Sequence, residues 1–369
     1  MLAPHDSFDL AAGLAAALDD LRRWRVPFVA TPAATRLEQD LAAMLDAPSD
    51  TERINRIAPL EGRERIERCG FSTSDAAAHS PGEAVGEGVA LRFFLDGVQR
   101  TFPLGWCGMS TLALATVVTG VVERRVQDGV FHAVHGMTAV RARIVVASSP
   151  SETASDALTT AFAGAGFEVV SCTDDTDLAR PGDFLALQGS LRPAVMAFRD
   201  ACETQTYRAW HARFGDGDAW LIVDGQLADG AGRRALGLIK QHNRFDFGAD
   251  EMIDLLSLPA GLRTTAFRRT ANKYQPATTW YLRLHAGNGV NPLYGLARIE
   301  APASVEATAH IDALSRGIYA ERTPHAANDP RWPTLLYPIH LTERILKTKL
   351  DRATLGVPAT LRRYLREAA

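Results

Sequence analysis

Lysine is nearly absent. Of 40 basic residues only Lys240, Lys273, Lys347 and Lys349 are lysine; with the abundance of alanine this reads as genome composition bias, so the arginine excess is not evidence of phosphate recognition. The chain has only four cysteines, Cys69, Cys107, Cys172 and Cys202, far apart and without CxxC or Cys/His spacing. A zinc ribbon or thioredoxin-type site is thereby removed, and the thiols read as reduced. No apolar run approaches the roughly 18 residues of a membrane span, and Asp6 and Asp9 stand where a signal peptide would carry lysines. A cytoplasmic location with no membrane partner is the expectation. Internal repeats, low-complexity tracts, a Walker-type GxxxxGK[ST] and a GxSxG elbow are also missing, so any ATP hydrolysis must come from another protein and a small-molecule hydrolase is disfavoured.

What is present is an ordinary globular composition: 369 residues, 46% hydrophobic, net charge -3. The near-neutral balance argues against a protein coated in positive charge, which depends on neutralising phosphates over most of its surface. A local basic groove on an acidic body remains compatible with it.

Along the chain, Leu10, Leu14, Leu18 and Leu21 recur at helical spacing, and a second helical stretch spans about Arg36 to Leu45. Residues 1–70 are expected to form a helical N-terminal region, and 71–88, rich in Gly, Ser and Ala, a linker. Residues 89–369 then form the main domain. Strand-type runs are predicted at 89–95, 100–105, 111–124, 130–134 and 141–147. A helix capped by Ser151, a short strand at 167–171 and a helix from Leu191 to about Trp210 follow. The continuous apolar run Ala219 to Val223 suits a strand buried on both faces. Further strands are expected at 235–239, 279–284 and 293–299, with a closing helix from about Pro338 to Leu350. The fold class is α/β with a mixed sheet.

One device occurs twice: an apolar strand that stops at Asp-Gly. RFFLDGVQR delivers Asp96 and WLIVDGQLAD delivers Asp224. A carboxylate where a buried strand emerges is held on a rigid edge, and two of them make a hard-oxygen site suited to Mg²⁺ or Mn²⁺. Asp-Gly is also a common turn dipeptide that merely ends a strand. On the helix before the second strand, Glu203 lies one turn beyond Arg199, either aimed at the same pocket or paired on the surface. Lys240 follows the apolar run Leu236 to Ile239; a point charge there either holds a phosphate or is simply solvated.

The order strand-Asp-Gly, helix with Arg-x-x-x-Glu, strand-Asp-Gly-x-Leu and strand-Gly-x-x-Lys resembles the NurA nucleases. Late in the chain, Arg298-Ile299-Glu300-Ala301-Pro302 is similar to that family's Arg-x-Glu-x-Pro strand, and Tyr337-Pro338 to its Tyr-Pro helix start. The likeness runs from about residue 89 to 350. It implies an RNase H-like core, Mn²⁺- or Mg²⁺-dependent cleavage at linear DNA ends, a homodimer, and a HerA-type hexameric ATPase as partner. It further implies that Asp96, Glu203 and Asp224 hold metal and that Lys240 lies near the scissile phosphate. Two departures accompany it. Val98 replaces the usual serine after Asp-Gly, with Gln99 or Arg100 as the nearest substitutes. The histidine nearest the family's C-terminal one is His340, about a turn early, with Arg344 and Ile345 near the expected place.

The stretch Arg263 to Tyr274 contains Arg263, Arg268, Arg269, Lys273, Phe267 and Tyr274 and no acid. It is the expected DNA-contacting segment, able to track a backbone and stack a frayed base, or else a solvated basic loop. His132 and His135 are expected to be structural. The alternative to an enzyme is a non-catalytic RNase H-like adaptor that binds DNA and the ATPase.

Overall fold

The computed structural model describes residues 8–24, 26, 28–30, 56–61, 68–70, 89–108, 110–125, 129–148, 156–172, 184–227, 232–240, 245, 247–271, 274–323 and 332–368. The second N-terminal helical stretch, the 71–88 linker, Ser151 and Lys273 lie outside these residues.

Helix α1 (Leu10–Arg23) is capped by Asp9, whose carboxylate accepts from the amides of Ala11 and Ala12 at 3.0 and 3.1 Å. Three short strands follow, β1 (Phe28–Ala30), β2 (Arg56–Pro59) and β3 (Arg68–Gly70). Then come β4 (Ala90–Cys107), β5 (Ser110–Arg124), β6 (Phe131–Ala147), α2 (Asp156–Gly164) and β7 (Glu168–Ser171). Helix α3 (Phe184–Phe214) leads into β8 (Ala219–Asp224) and β9 (Ala235–Ile239). The chain continues through α4 (Ala249–Leu256), β10 (Leu262–Thr264), β11 (Phe267–Ala271), β12 (Tyr274–Arg283) and β13 (Leu296–Pro302). It ends with α5 (Thr308–Ala320), α6 (Tyr337–Thr354) and α7 (Val357–Ala368).

The described strands form one mixed sheet in the order β2-β11-β12-β13-β9-β8-β4-β5-β6-β7, with β1 added to β4, and β10 bridging β12 and β3. Strands β4, β5 and β6 are an antiparallel meander. Helix α3 carries the chain back so that β8 lies parallel to β4, and β9 parallel to β8. The sheet is thus mixed: an antiparallel meander whose first strand is extended by two parallel strands, with further strands on both sides. The N-terminal helix is present as expected. The N-terminal strands join the main sheet as well, β1 on β4, β2 on β11 and β3 on β10.

Two local expectations need correction. Asp96-Gly97 does not end a strand, because β4 runs unbroken through it and pairs Asp96 with Gly120 and Gly97 with Thr119. The predicted breaks within 130–147 are likewise absent from β6. At Asp96-Gly97 β5 continues in register alongside, and ladder hydrogen bonding overrides the local turn preference; in β6 the strand continues but its pairing with β5 shifts register between Ala133 and Thr138. Helix α3 also begins before Leu191 and carries Pro193 inside it, and α7 follows the predicted last helix.

One sheet face packs α3, with Phe93, Leu95, Val121, Tyr207, Trp210 and Val223 in one cluster. On the other, Phe94, Trp220, Ile222 and Leu238 meet α5 and the start of α6. Val98 and Val118 meet Leu346 and Leu350 of α6. Helices α1, α2 and α7 cover the far end of the meander on that second face. Among the described residues no helix is long and apolar enough to cross a membrane.

Candidate functional site

The parallel pairing of β4 with β8 stops at Leu95 and Val223. The next residue on each strand is a carboxylate, Asp96 and Asp224, so the two acids lie side by side just beyond the last β4–β8 rung while Asp96 stays paired to β5 and Asp224 to β9. From Asp96 onward that edge of β4 is no longer covered by β8. The apolar burial on both sides of Phe94, Leu95, Ile222 and Val223 is what fixes the register, since slipping one residue would turn each core side chain to the wrong face.

Glu203 comes from α3, which lies over the meander. Gly97 makes room for it: a Cβ there would collide with Glu203 Oε1 and lie 2.9 Å from its Cδ. The helix is anchored one turn further on, where Thr206 Oγ1 and Thr119 Oγ1 lie 2.7 Å apart in a buried hydrogen bond. Thr119 is the residue paired with Gly97, so the anchor and the glycine fix Glu203 over β4 together.

The three carboxylates influence one another. Burial, and then the facing Asp224, push the Asp96 carboxyl well above the usual range, against the opposing pull of Arg199 and Lys240. Burial also raises Glu203; Arg199 counteracts this, while Asp200 and Asp224 add to it. Two cations sit among them. Lys240 Nζ donates to Asp224 Oδ2 at 2.6 Å. Arg199 Nε donates to Glu203 Oε1 at 2.7 Å, and its Nη2 lies 3.9 Å from Asp96 Oδ1. Burial works against the Arg199 charge, yet Glu203 and Asp96 outweigh it and raise the guanidinium's proton affinity. The Arg199–Glu203 pair is therefore not a surface ornament: it belongs to a cluster with Asp96, Asp224 and Lys240.

These oxygen donors are of the kind that hard divalent cations take, and the raised proton affinity of Asp96 and Glu203 is a strain that such a cation relieves. In this conformation Lys240 and Arg199 supply the positive charge instead. Among the described residues, no group of three or more His, Cys, Asp or Glu side chains is gathered closely enough to hold a metal ion.

Backbone contacts around Gly225 shape the surroundings of Asp224. Gly225 takes φ +114° and its amide donates to Leu238 O at 2.9 Å, bending the chain back over β9. It passes directly above Gly237, where a Cβ would lie 2.7 Å from Gly225 O and 3.1 Å from Leu227 N. On the neighbouring strand, Glu300 pairs in register with Gly237 and its Oε2 accepts from the Leu227 amide at 3.2 Å. Sequence reasoning noted Glu300 only within a motif. A glycine inside the buried run ALGLI was the available signal, because it marks a close backbone approach.

The other expected site residues do not join this cluster through any described contact. His340 stands in the first turn of α6, its Nδ1 buried without a hydrogen-bond partner. Arg100 reaches α6, donating to Asp351 at 2.7 Å and Thr354 at 2.8 Å. The basic stretch is not a solvated loop but forms β10 and β11. Arg263 is fully buried, clamped by Glu61 at 2.8 and 3.0 Å and by Asp312 at 2.7 Å. Arg269 is buried 3.0 Å from Glu300. Phe267 belongs to the core. A guanidinium committed in this way is not presented to a phosphate backbone. Arg268 is partly exposed and paired with Glu306. Tyr274 begins β12; its side chain, like Lys273, lies outside the described set.

No protein-family model matches the chain, and no curated protein is significantly similar to it.

Proposed function

We propose that this protein is a divalent-metal-dependent DNA nuclease of the NurA type, acting on linear ends with Mn²⁺ or Mg²⁺. The observation that carries the reading is the adjacency of Asp96 and Asp224 on neighbouring parallel strands, with Glu203 lying over Gly97 beside Asp96. The proton affinity of Glu203 is raised by burial, to which Asp200 and Asp224 add. Asp96, Asp224 and Glu203 would hold the ion, which when bound supplies an activated water and a Lewis acid for the phosphoryl oxygen. The chain's own residues position the phosphate. Lys240 and Arg199, once carboxylate charge is neutralised from another source, are free to turn to the phosphate oxygens and stabilise the charge that grows there.

A homodimer working with a HerA-type hexameric ATPase, in end resection and repair or in anti-phage defence, belongs to this reading through the motif order alone. The deciding experiment incubates pure protein with linear and circular single- and double-stranded DNA in Mn²⁺, Mg²⁺ or EDTA. Metal-dependent loss of linear DNA, removed by Asp224→Asn, is the expected result. Absence of cleavage, with the ATPase present, overturns it.

One observation favours a second reading, a non-catalytic DNA-binding adaptor of such an ATPase. Each acid is already partnered by Lys240 or Arg199, a charge balance that stands without metal. DNA binding without cleavage under all those conditions selects the adaptor.

A further inference from the structure

We propose that Glu300 is a positioning residue: by holding the Leu227 amide across Gly237, it sets the course of the chain after β8 and so the direction of the Asp224 carboxylate. The inference rests on the reading of Asp224 as a metal-holding acid, and it adds a residue on a different strand to that site.

Glu300 has no exposed surface. A carboxylate is costly to place there unless every lone pair is used. Its two oxygens divide the work. Oε1 faces two guanidiniums, Arg269 Nε at 3.0 Å and Arg298 Nη2 at 3.2 Å. Oε2 accepts from Leu227 N. The arginines flank Glu300 from β11 and from its own strand, so the carboxylate is held from behind and its free oxygen points along the sheet towards the turn.

In that turn the Leu227 side chain is buried with Tyr207, Trp210 and Val223, and its amide is the group that Glu300 holds. Gly225 leaves β8 with a positive φ that side-chain-bearing residues rarely adopt, and one bond to Leu238 O closes the first step. The second step, from Gly225 to Leu227, lies against the bare backbone of Gly237. The register explains the reach: Val223 pairs with Gly237, and Gly237 with Glu300. Three strands thus present, in one row, the residue before Asp224, a glycine that leaves a gap, and a carboxylate that spans it. Releasing Leu227 would let the turn lift and Asp224 swing, although no atom of Glu300 touches Asp224.

The test uses three variants of the full chain. Glu300→Gln keeps an oxygen acceptor but removes the charge, Glu300→Ala removes both, and Gly237→Ala lifts the turn without touching the charges. Amide exchange at Leu227 and the carboxyl ¹³C resonance of Asp224 report on the turn, and Mn²⁺ binding by calorimetry reports on the site. Exchange at Leu227 should be at least roughly tenfold faster in Glu300→Ala and in Gly237→Ala, as expected on loss of a charge-assisted hydrogen bond. The Asp224 resonance should shift and Mn²⁺ affinity should fall by a similar factor, with partial recovery in Glu300→Gln. Unchanged Leu227 exchange, or faster exchange with an unmoved Asp224 resonance, overturns the proposal. Should Glu300→Ala fail to fold, Glu300→Gln decides in its place, with faster Leu227 exchange and a shifted Asp224 resonance expected and no change in either overturning the proposal. Should the wild type bind no Mn²⁺, the metal reading fails separately, while Leu227 exchange and the Asp224 resonance still decide the role of Glu300.

Discussion

Asp96 and Asp224 are the first residues beyond the last paired rung of β4 and β8, the rung that joins Leu95 to Val223. Register alone places the two acids side by side, and burial leaves Asp96 almost without solvent. Despite Arg199 and Lys240 nearby, the ionised Asp96 carboxylate works against folding, because burial and the facing Asp224 raise its proton affinity.

Asp96→Asn should therefore abolish cleavage and at the same time stabilise the metal-free protein at neutral pH, by roughly 1–3 kcal/mol, the scale on which removal of a strained buried charge acts. The sign follows from the direction of the shift. A carboxyl whose folded pKa is raised lends full stability below its unfolded value, about 3.9 for Asp, and that stability is lost as pH rises through the folded value. Thermal unfolding from pH 4 to 8 should show a shallower decline in Asp96→Asn than in wild type. Wild-type and variant curves that stay parallel would count against the assignment.

Glu61 should behave in the opposite sense. Burial raises its pKa, but the hydrogen bonds and charge of Arg263 and the Ala266 amide outweigh that and lower it. Its stabilising contribution is present above the unfolded value, about 4.3 for Glu, and is lost as pH falls through the folded one. Glu61→Gln should reduce stability at pH 7 and lessen the acid-side loss, as read by denaturant midpoints at pH 3 and pH 7.

The core sheet and the acids were legible because their signals are local: a continuous run such as Ala219 to Val223 marks a strand buried on both faces, and Asp-Gly marks where the backbone admits something close. What escaped was pairing at a distance. Asp96 looked like a strand end because nothing near it shows that β5 continues alongside. Arg263 looked free because its partners, Glu61 and Asp312, lie 202 and 49 residues away. Helix α7 was not predicted; its Pro358 sits in the first turn, where the amide it gives up has no partner anyway.

The arginines of β10 and β11 should now separate by effect. Arg263→Ala leaves Glu61 and Asp312 facing an emptied buried site and should cost about 3–5 kcal/mol of stability, the usual loss on breaking a buried pair from one side. Arg268→Glu, at a partly exposed position, should leave the unfolding midpoint nearly unchanged and lower the salt dependence of DNA binding if that face meets DNA. Loss of stability in both, or in neither, contradicts this division.

Lys240→Met tests whether lysine and metal ion serve the same acids. Lys240 is largely buried against Asp224 at 2.6 Å, and Asp96 also feels its charge. Without it, two acids face each other with Arg199 as the only cation described in contact with the cluster. The metal-free variant should lose about 1–3 kcal/mol. Mn²⁺ should restore more stability to the variant than it adds to wild type, because the ion replaces the missing charge. Cleavage should remain depressed even at saturating Mn²⁺, since no ammonium is left to turn to the phosphate. Thermal shift across a Mn²⁺ titration, paired with cleavage rates on linear DNA, separates the two roles. A variant destabilised equally with and without Mn²⁺ would show that Lys240 is only a structural partner of Asp224. One restored fully in both stability and cleavage would show that the ion alone neutralises the acids.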